Sequence, residues 1–244
     1  MHRFFASSQS ISKNRIIISD GSQVHHIRNV LRLKPKDEAV IFDDKGNEYN
    51  SIIEAISAQS VMLKIKTKRK FIASRRLKLT VACALPKKSK MDDIIDKLTQ
   101  LGVERIIPLL TQRVIIKLDE HKKILRHKRW EEIALSASRQ SQRNTLPVIE
   151  PIKDMREALS ESKDFDLKLI PTLTGERKSL KEILSKSKPK NILVLIGPEG
   201  DFSPLEVALA KRAGFIPVSL GDLVLRVETA AIAVASFISL YADS

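Results

Sequence analysis

From residue 77 onward, apolar segments at 77–84, 105–110, 167–170, 191–196 and 215–220 alternate with stretches of helical periodicity, and this alternation narrows the possible folds more than any other feature. Strands separated by helices cannot close as hairpins. Each crossover returns the chain in the same direction, so the pattern predicts an α/β architecture with a parallel sheet. Before residue 70 the rhythm is different. Short runs at Ile16-Ile17-Ile18, Ala39-Val40-Ile41-Phe42, Ile52-Ile53 and Val61-Met62-Leu63 are separated by Asp20-Gly21, Pro35 and Asp43-Asp44-Lys45-Gly46-Asn47. That spacing predicts a small β-rich module with one short helix around 24–33. A boundary in the basic stretch 70–76 then gives two domains, 1–72 and 73–244.

Three helices can be placed by their ends and composition. Ser89-Lys90-Met91-Asp92 resembles a capping box, followed by Ile94, Ile95, Leu98 and Leu101 on one face and a stop at Gly102. Ser203-Pro204-Leu205-Glu206 is more explicit, with Ser at N-cap, Pro at N1 and Glu at N3, and Gly214 closes that helix. The last, 229–241, is apolar almost all round and too short to span a bilayer, which predicts burial in the core or against another subunit.

The strand at 191–196 runs directly into Gly197-Pro198-Glu199-Gly200-Asp201-Phe202 and then the capped helix. In a parallel sheet such a loop lies at the carboxyl edge, where α/β proteins bind ligands. Its glycines suit close backbone approach to a ligand, or simply a tight turn. The spacing matches neither a Walker loop nor the dinucleotide fingerprint, which disfavours a nucleoside triphosphate or classical dinucleotide. A second loop, Gly221-Asp222-Leu223-Val224-Leu225-Arg226-Val227-Glu228-Thr229-Ala230, sets Arg226 and Glu228 among apolar neighbours. Such charges are functional or paired, here by an Arg226–Glu228 ion pair or by Glu228 capping the last helix. A third loop, Pro171-Thr172-Leu173-Thr174-Gly175, ends the preceding strand, so three strand ends are expected to share one pocket.

Charge supplies the partner class. The chain carries 43 Lys+Arg against 29 Asp+Glu, a formal net charge of +14. No acidic residue occurs between Glu54 and Asp92, while Lys64, Lys66, Lys68, Arg69, Lys70, Arg75, Arg76, Lys78, Lys87, Lys88 and Lys90 do. A second basic stretch covers 121–129, with Arg139 and Arg143 beyond it. Such density points to nucleic acid through counterion release, against the alternatives of a solvated surface or a basic membrane helix. The lone Cys83 excludes an intramolecular disulfide, and the five scattered histidines show no zinc spacing, so no metal is expected. Without a long apolar run or a signal peptide, a soluble cytoplasmic protein is expected.

Leu195-Ile196-Gly197-Pro198-Glu199-Gly200 with Phe202-Ser203 and Glu206, then Ser219-Leu220-Gly221 and Leu225-Arg226-Val227-Glu228-Thr229-Ala230, resemble the paired signatures of the SPOUT superfamily of knotted RNA methyltransferases. The match is nearest to its ribosomal RNA small subunit methyltransferase E family. Arg3-Phe4-Phe5, His26-Ile27-Arg28-Asn29-Val30-Leu31-Arg32, Lys97-Leu98-Thr99-Gln100-Leu101-Gly102-Val103, and Gln140-Ser141 with Arg143 and Pro147 follow in the family's order. Departures occur where the family usually has glycine, at Lys36 and Asp201, and where it has Glu, at Gln100 and Arg139.

The resemblance implies an N-terminal PUA-like β-barrel, a C-terminal α/β domain with a deep trefoil knot, and a homodimer. It implies S-adenosylmethionine (SAM) as methyl donor, without a metal, and N3 of one uridine in 16S ribosomal RNA or the small subunit as target. A ribose 2′-OH target and a non-catalytic assembly factor are the rival readings. The donor loops would comprise Thr172, Leu173, Gly197, Pro198, Glu199, Gly200, Leu220, Gly221, Val224, Leu225, Arg226, Thr229 and Ala230. Arg226, Arg143 and Glu199 are the candidate catalytic groups. RNA contacts are expected from Arg3, His26, Arg28, Arg32, Lys66, Lys68, Arg69, Lys70, Lys87, Arg139, Gln140 and Arg143. Arg28 and Arg32 are four apart and are expected to share a helix face, whereas Phe4 and Phe5 are expected to pack in the core.

Overall fold

The structure, a computed structural model, describes residues 2–70, 77–86, 90–114 and 119–242. Ser89, Lys87 and the expected boundary at 72/73 lie outside the described residues. The chain divides into two compact units, Met1–Ser74 with Ser138–Leu146, and Arg75–Ala137 with Pro147–Ser244. The exchange at 138–146 has no counterpart in the sequence reading, because that stretch is polar and aperiodic.

The first unit contains strands β1 (His2–Phe5), β2 (Arg15–Ile18), helix α1 (Gly21–His25), β3 (Glu38–Phe42), β4 (Asn47–Ile56) and β5 (Val61–Lys70). Their order is β1-β3-β4-β5-β2, with β1 parallel to β3 and every other pair antiparallel. The expected barrel is therefore a mixed half-barrel with β1 and β2 at its edges. Phe4, Ile16, Ile27, Ile41, Ile53 and Leu63 pack together as its buried core, and Phe5 is half-buried, edge-on to Phe42 at 5.5 Å. Gln23, 2 % exposed, accepts the Phe5 N–H at 2.9 Å and donates to the Phe5 carbonyl at 3.1 Å, which satisfies a buried amide and tethers β1. β5 leaves the core after Ile65, so Lys66, Lys68, Arg69 and Lys70 are exposed.

The helix expected around 24–33 begins earlier, at Gly21, where Asp20 Oδ1 accepts the Gln23 N–H at 2.9 Å. It then widens into a π-helical stretch, His26–Val30, and Arg32 has a left-handed φ of 51°. The helical i,i+4 relation expected for Arg28 and Arg32 therefore fails, since Arg32 lies past the helix. Lys36, with φ 83°, stands where the family usually has glycine. Lys36→Gly relieves left-handed strain of ~1–2 kcal/mol against ~0.5–1 kcal/mol of added backbone entropy. A net gain of roughly 0.5–1 kcal/mol is expected, read as a higher urea midpoint with unchanged slope.

The second unit contains β6 (Lys78–Ala84), α2 (Lys90–Gln100), β7 (Arg105–Leu110), all but the last three residues of α3 (Glu120–Gln140), β8 (Val148–Ile149), β9 (Lys153–Asp154), α4 (Met155–Ser160) and β10 (Leu167–Pro171). These are followed by β11 (Lys178–Ser179), α5 (Leu180–Lys186), β12 (Asn191–Ile196), α6 (Pro204–Arg212), β13 (Ile216–Ser219) and α7 (Val227–Ala242). The sheet order is β11-β13-β10-β12-β6-β7-β8, with β9 also on β7, and every pair is parallel.

Both faces of this sheet are covered, which is why its strands read as continuous apolar runs. Val81, Cys83, Ile192, Val194 and Ile196 pack with α2, α5 and α7. Ala82, Leu193 and Leu195 pack with α4 and α6. α3 ends with Gln142 at φ 57° and the Arg143 N–H on the Ser138 carbonyl at 2.9 Å, a Schellman-type closure. α7 buries Val227, Ala231, Val234, Ala235 and Ile238, but leaves Phe237, Leu240 and Tyr241 exposed. Among the described residues, no helix is long and apolar enough to cross a membrane.

Candidate active site

β13, β10 and β12 are neighbours and parallel, so their carboxyl ends fall on one edge of the sheet. The loops leaving those ends enclose a cleft of about 540 Å³, its open mouth included. After β12 the chain makes a tight turn, the Asp201 N–H donating to the Pro198 carbonyl at 2.9 Å. A Cβ on Gly197 would lie 3.0 Å from the Phe202 ring, which is itself buried, so the turn folds back onto the core only because residue 197 has no side chain.

Asp201 has a left-handed φ of 62°, the conformation that the family's usual glycine adopts without strain. Its own carboxylate compensates. Oδ1 accepts the Phe202 N–H and Oδ2 accepts the Leu173 N–H, each at 2.8 Å, joining the β12 loop to the β10 loop.

The capping box expected at Ser203 is formed. Ser203 Oγ accepts the Glu206 N–H at 3.2 Å, and Glu206 Oε2 accepts the Ser203 N–H at 2.8 Å. Glu206 does more than cap. Only 3 % exposed, it also accepts the Gln112 N–H through Oε1 at 2.8 Å, stapling the segment after β7 to the start of α6. Arg113 adds a guanidinium hydrogen bond to the Gly200 carbonyl. After β13, Gly221 takes φ 116°, a value L side chains rarely adopt.

Of the donor-loop residues expected, Thr172, Leu173, Gly197, Pro198, Glu199, Leu220, Gly221, Leu225 and Ala230 line the cleft. Gly200, Val224, Arg226 and Thr229 are not in its lining, and all four are exposed. Pro171, Arg177, Ile196, Asp201, Leu223 and Val227 also line it; Pro171, Asp201, Leu223 and Val227 belong to the three loops expected to meet there but not to the expected donor contacts, whereas Arg177 and Ile196 lie outside those loops. Asp201 carried a signal, since it interrupts an otherwise matching glycine motif. Arg177 carried none; it comes from beyond the loop and donates to the Thr172 carbonyl at 3.1 Å.

The Arg226–Glu228 pair considered above is replaced by another. Glu228 accepts from Lys90 Nζ at 2.5 Å, linking the starts of α7 and α2. Burial alone would raise the Glu228 pKa, but the Lys90 hydrogen bond and the charges of Lys90 and Arg226 hold it below the usual carboxylate range. Cys83, at the end of β6, has its thiol pushed up by burial and further by Glu228 and Glu199, which keeps it protonated and unreactive.

Arg143 belongs to the first unit, where its Nε donates to Thr145 Oγ1 at 3.3 Å. Arg139 and Gln140 are in that unit too. His26, edge-on to Phe4, has its pKa lowered by partial desolvation and then by the nearby Arg139, His2 and His25, so these four side chains lie near one another. Arg28, Arg32, Arg69 and Lys70 are exposed. Lys66 pairs with Glu38 at 2.8 Å and Lys68 lies 5.5 Å from the centre of the Tyr49 ring. Arg3 is held within the sheet, paired with Glu48 at 2.6 Å and stacked over Phe42, its side chain only 12 % exposed.

Residues 73–239 match the family described as RNA methyltransferase domain, and residues 18–66 match the RNA methyltransferase PUA domain. The chain belongs to this family of RNA methyltransferases. The ribosomal RNA small subunit methyltransferase E of Bacillus subtilis (strain 168) is 30% identical to it over 98% of this chain and 96% of that protein. The enzyme of the same name from Rickettsia conorii is 30% identical over 95% and 92%. Among solved structures, the methyltransferase E of Neisseria gonorrhoeae bound to SAM has a TM-score of 0.87 and 30% identity, covering 98% of this chain and 97% of that one. A putative methyltransferase from Legionella pneumophila in complex with SAM reaches 0.88 at 29% identity, covering 98% and 96%. The cleft lies within the RNA methyltransferase match. So, in sequence, do Arg139, Gln140 and Arg143, although they fold with the first unit.

Proposed function

We propose that this protein transfers a methyl group from SAM to N3 of a uridine in 16S ribosomal RNA. The observation that carries the reading is the cleft at three adjacent parallel strand ends, in a methyltransferase E relative. Its lining offers two carboxylates, Glu199 and Asp201, and one guanidinium, Arg177. That set suits a sulfonium ligand that is also an amino acid, and it suits a polyphosphate poorly. Gly197 and Gly221 bring backbone to the cleft wall, and Thr172, Leu173, Pro198, Leu220, Leu225 and Ala230 would complete the donor contacts.

SAM supplies a methyl group already activated by its sulfonium. The protein must deprotonate the uracil imide and hold N3 in line with that methyl. Arg226, exposed between the lining residues Leu225 and Val227, is suited to stabilise the uracil anion at O2 or O4, as donors do for an oxyanion. Arg143 is the second candidate for that charge, and Glu199 accepts the N3 proton or orients a neighbour. A paired uridine has its N3 occupied, so the target is unpaired or flipped out. The same reading includes the trefoil knot and a homodimer, the latter supported by the exposed Phe237, Leu240 and Tyr241 on α7.

Incubation with methyl-labelled SAM and small-subunit RNA or particles lacking the modification should place label on uridine N3. Absence of incorporation at N3 would refute the assignment, and label on a ribose would establish the 2′-OH alternative. Calorimetry with SAM tests the non-catalytic alternative, in which donor binding is not required.

A further inference from the structure

A second cavity lies in the first unit, between the segment after β1 and strands β4 and β5. It measures about 620 Å³ with its open mouth included. Ile11, Ile65 and Tyr49 form its apolar wall, and Lys13, Lys45 and Lys68 line it. Asp43, 1 % exposed, supplies its one carboxylate.

That carboxylate is fully engaged from behind. Oδ1 accepts the Lys45 and Asn47 N–H groups at 2.9 and 2.8 Å, and Oδ2 accepts Asn47 Nδ2 at 2.7 Å and Tyr49 Oη at 3.0 Å. The three ammonium groups have no carboxylate within ion-pair distance among the described residues, unlike Lys66, which has Glu38. Three lysines thus line a cavity whose one lining carboxylate is saturated, while the neighbouring Asp44, near Lys45, is held by Ser8 N–H and Oγ; with the apolar wall, this arrangement suits a ligand with a phosphate at one end and a ribose or base at the other.

We propose that this cavity seats one nucleotide of single-stranded RNA, with Lys13 and Lys45 holding its phosphate and Ile11 and Ile65 packing its sugar or base. Neither lysine belongs to the donor cleft or to the RNA contacts read from the sequence. The proposal depends on the methyltransferase reading only for the polymer being RNA.

Fluorescence anisotropy with a labelled single-stranded oligouridylate tests it. The double variant Lys13→Glu/Lys45→Glu should bind roughly tenfold more weakly, with a log–log salt slope shallower by about 1 to 1.5, as loss of two phosphate contacts on a single strand requires. The control Lys163→Glu/Lys181→Glu, on exposed positions of the second unit, changes net charge equally and should bind within about twofold of the unaltered protein. Equal weakening in the two would overturn the cavity in favour of diffuse charge. Displacement of the oligomer by uridine monophosphate at similar affinity would overturn the RNA assignment and identify a free nucleotide as ligand. If charge reversal lowers the thermal midpoint, Lys13→Gln/Lys45→Gln provides the same comparison. Methyl transfer by the unaltered protein is scored separately. Transfer with unaffected RNA binding in the cavity variant removes this proposal alone, whereas the expected binding pattern without transfer removes the methyltransferase reading alone.

Discussion

Arg226→Ala should reduce turnover by a factor on the order of 10²–10³ while leaving affinity for SAM and RNA nearly unchanged. The residue is exposed and outside the cleft lining, so no packed neighbour loses contact when it is shortened. Its carbonyl accepts the Ala230 N–H at 2.8 Å as α7 begins, and alanine preserves that bond. Its guanidinium contributes charge near Glu228, but Lys90 holds Glu228 directly at 2.5 Å, so the start of α7 should keep its place. On the proposed mechanism, the guanidinium stabilises negative charge on the base as the imide proton leaves. Single-turnover rates separate the cases: a slower chemical step with unchanged SAM dissociation supports that role, and an unchanged rate assigns Arg226 to structure. Arg226→Lys should recover only part of the loss, because an ammonium cannot present two parallel donors to O2 or O4.

The largest stability effect is expected at Glu206. Its carboxylate receives the Ser203 and Gln112 N–H groups, each at 2.8 Å, from a site 3 % exposed. Glu206→Ala orphans both donors. At about 1–3 kcal/mol for each poorly solvated group, the loss from the two should be roughly 2–6 kcal/mol in chemical denaturation. Glu206→Gln keeps one acceptor oxygen and should lose about half as much. Because this carboxylate orders the loop between Gly197 and Ser203, SAM affinity should fall in the same order, alanine worst. An alanine variant less than 1 kcal/mol destabilised, by the same measurement, would mean that water replaces the carboxylate.

Much of the cleft was legible in the chain. The α6 capping box is a local device, and Ser203, Pro204 and Glu206 announce it within four residues. Strand β12 and its glycine loop were equally plain, since a strand buried on both faces reads as a continuous apolar run. The short helix near residue 24 was less so. A π-helical widening leaves no compositional mark, and it moved Arg32 off the face shared with Arg28. Arg3 was read as an RNA contact from its place in the family order, yet Glu48, 45 residues away, holds it in the sheet. The glycine-to-aspartate departure at 201 could be seen but not interpreted. Only its φ and two carboxylate hydrogen bonds show that Asp201 replaces conformational freedom with a tether to Leu173.

By itself, the sequence determined the α/β periodicity of the second unit, the β-rich character of the first, the three glycine or small-residue loops, and the basic surplus of a protein that handles polyanions. These are properties of neighbouring residues, and short-range sterics and periodicity suffice for them. Tertiary structure decided which strands lie side by side, so that the ends of β10, β12 and β13 meet at one cleft. It also brought Gln112 to Glu206 and Lys90 to Glu228, and it folded residues 138–146 with the first unit. Those outcomes depend on which distant surfaces bury each other best and on where unpaired backbone groups find partners. No local stretch of the chain carries that information.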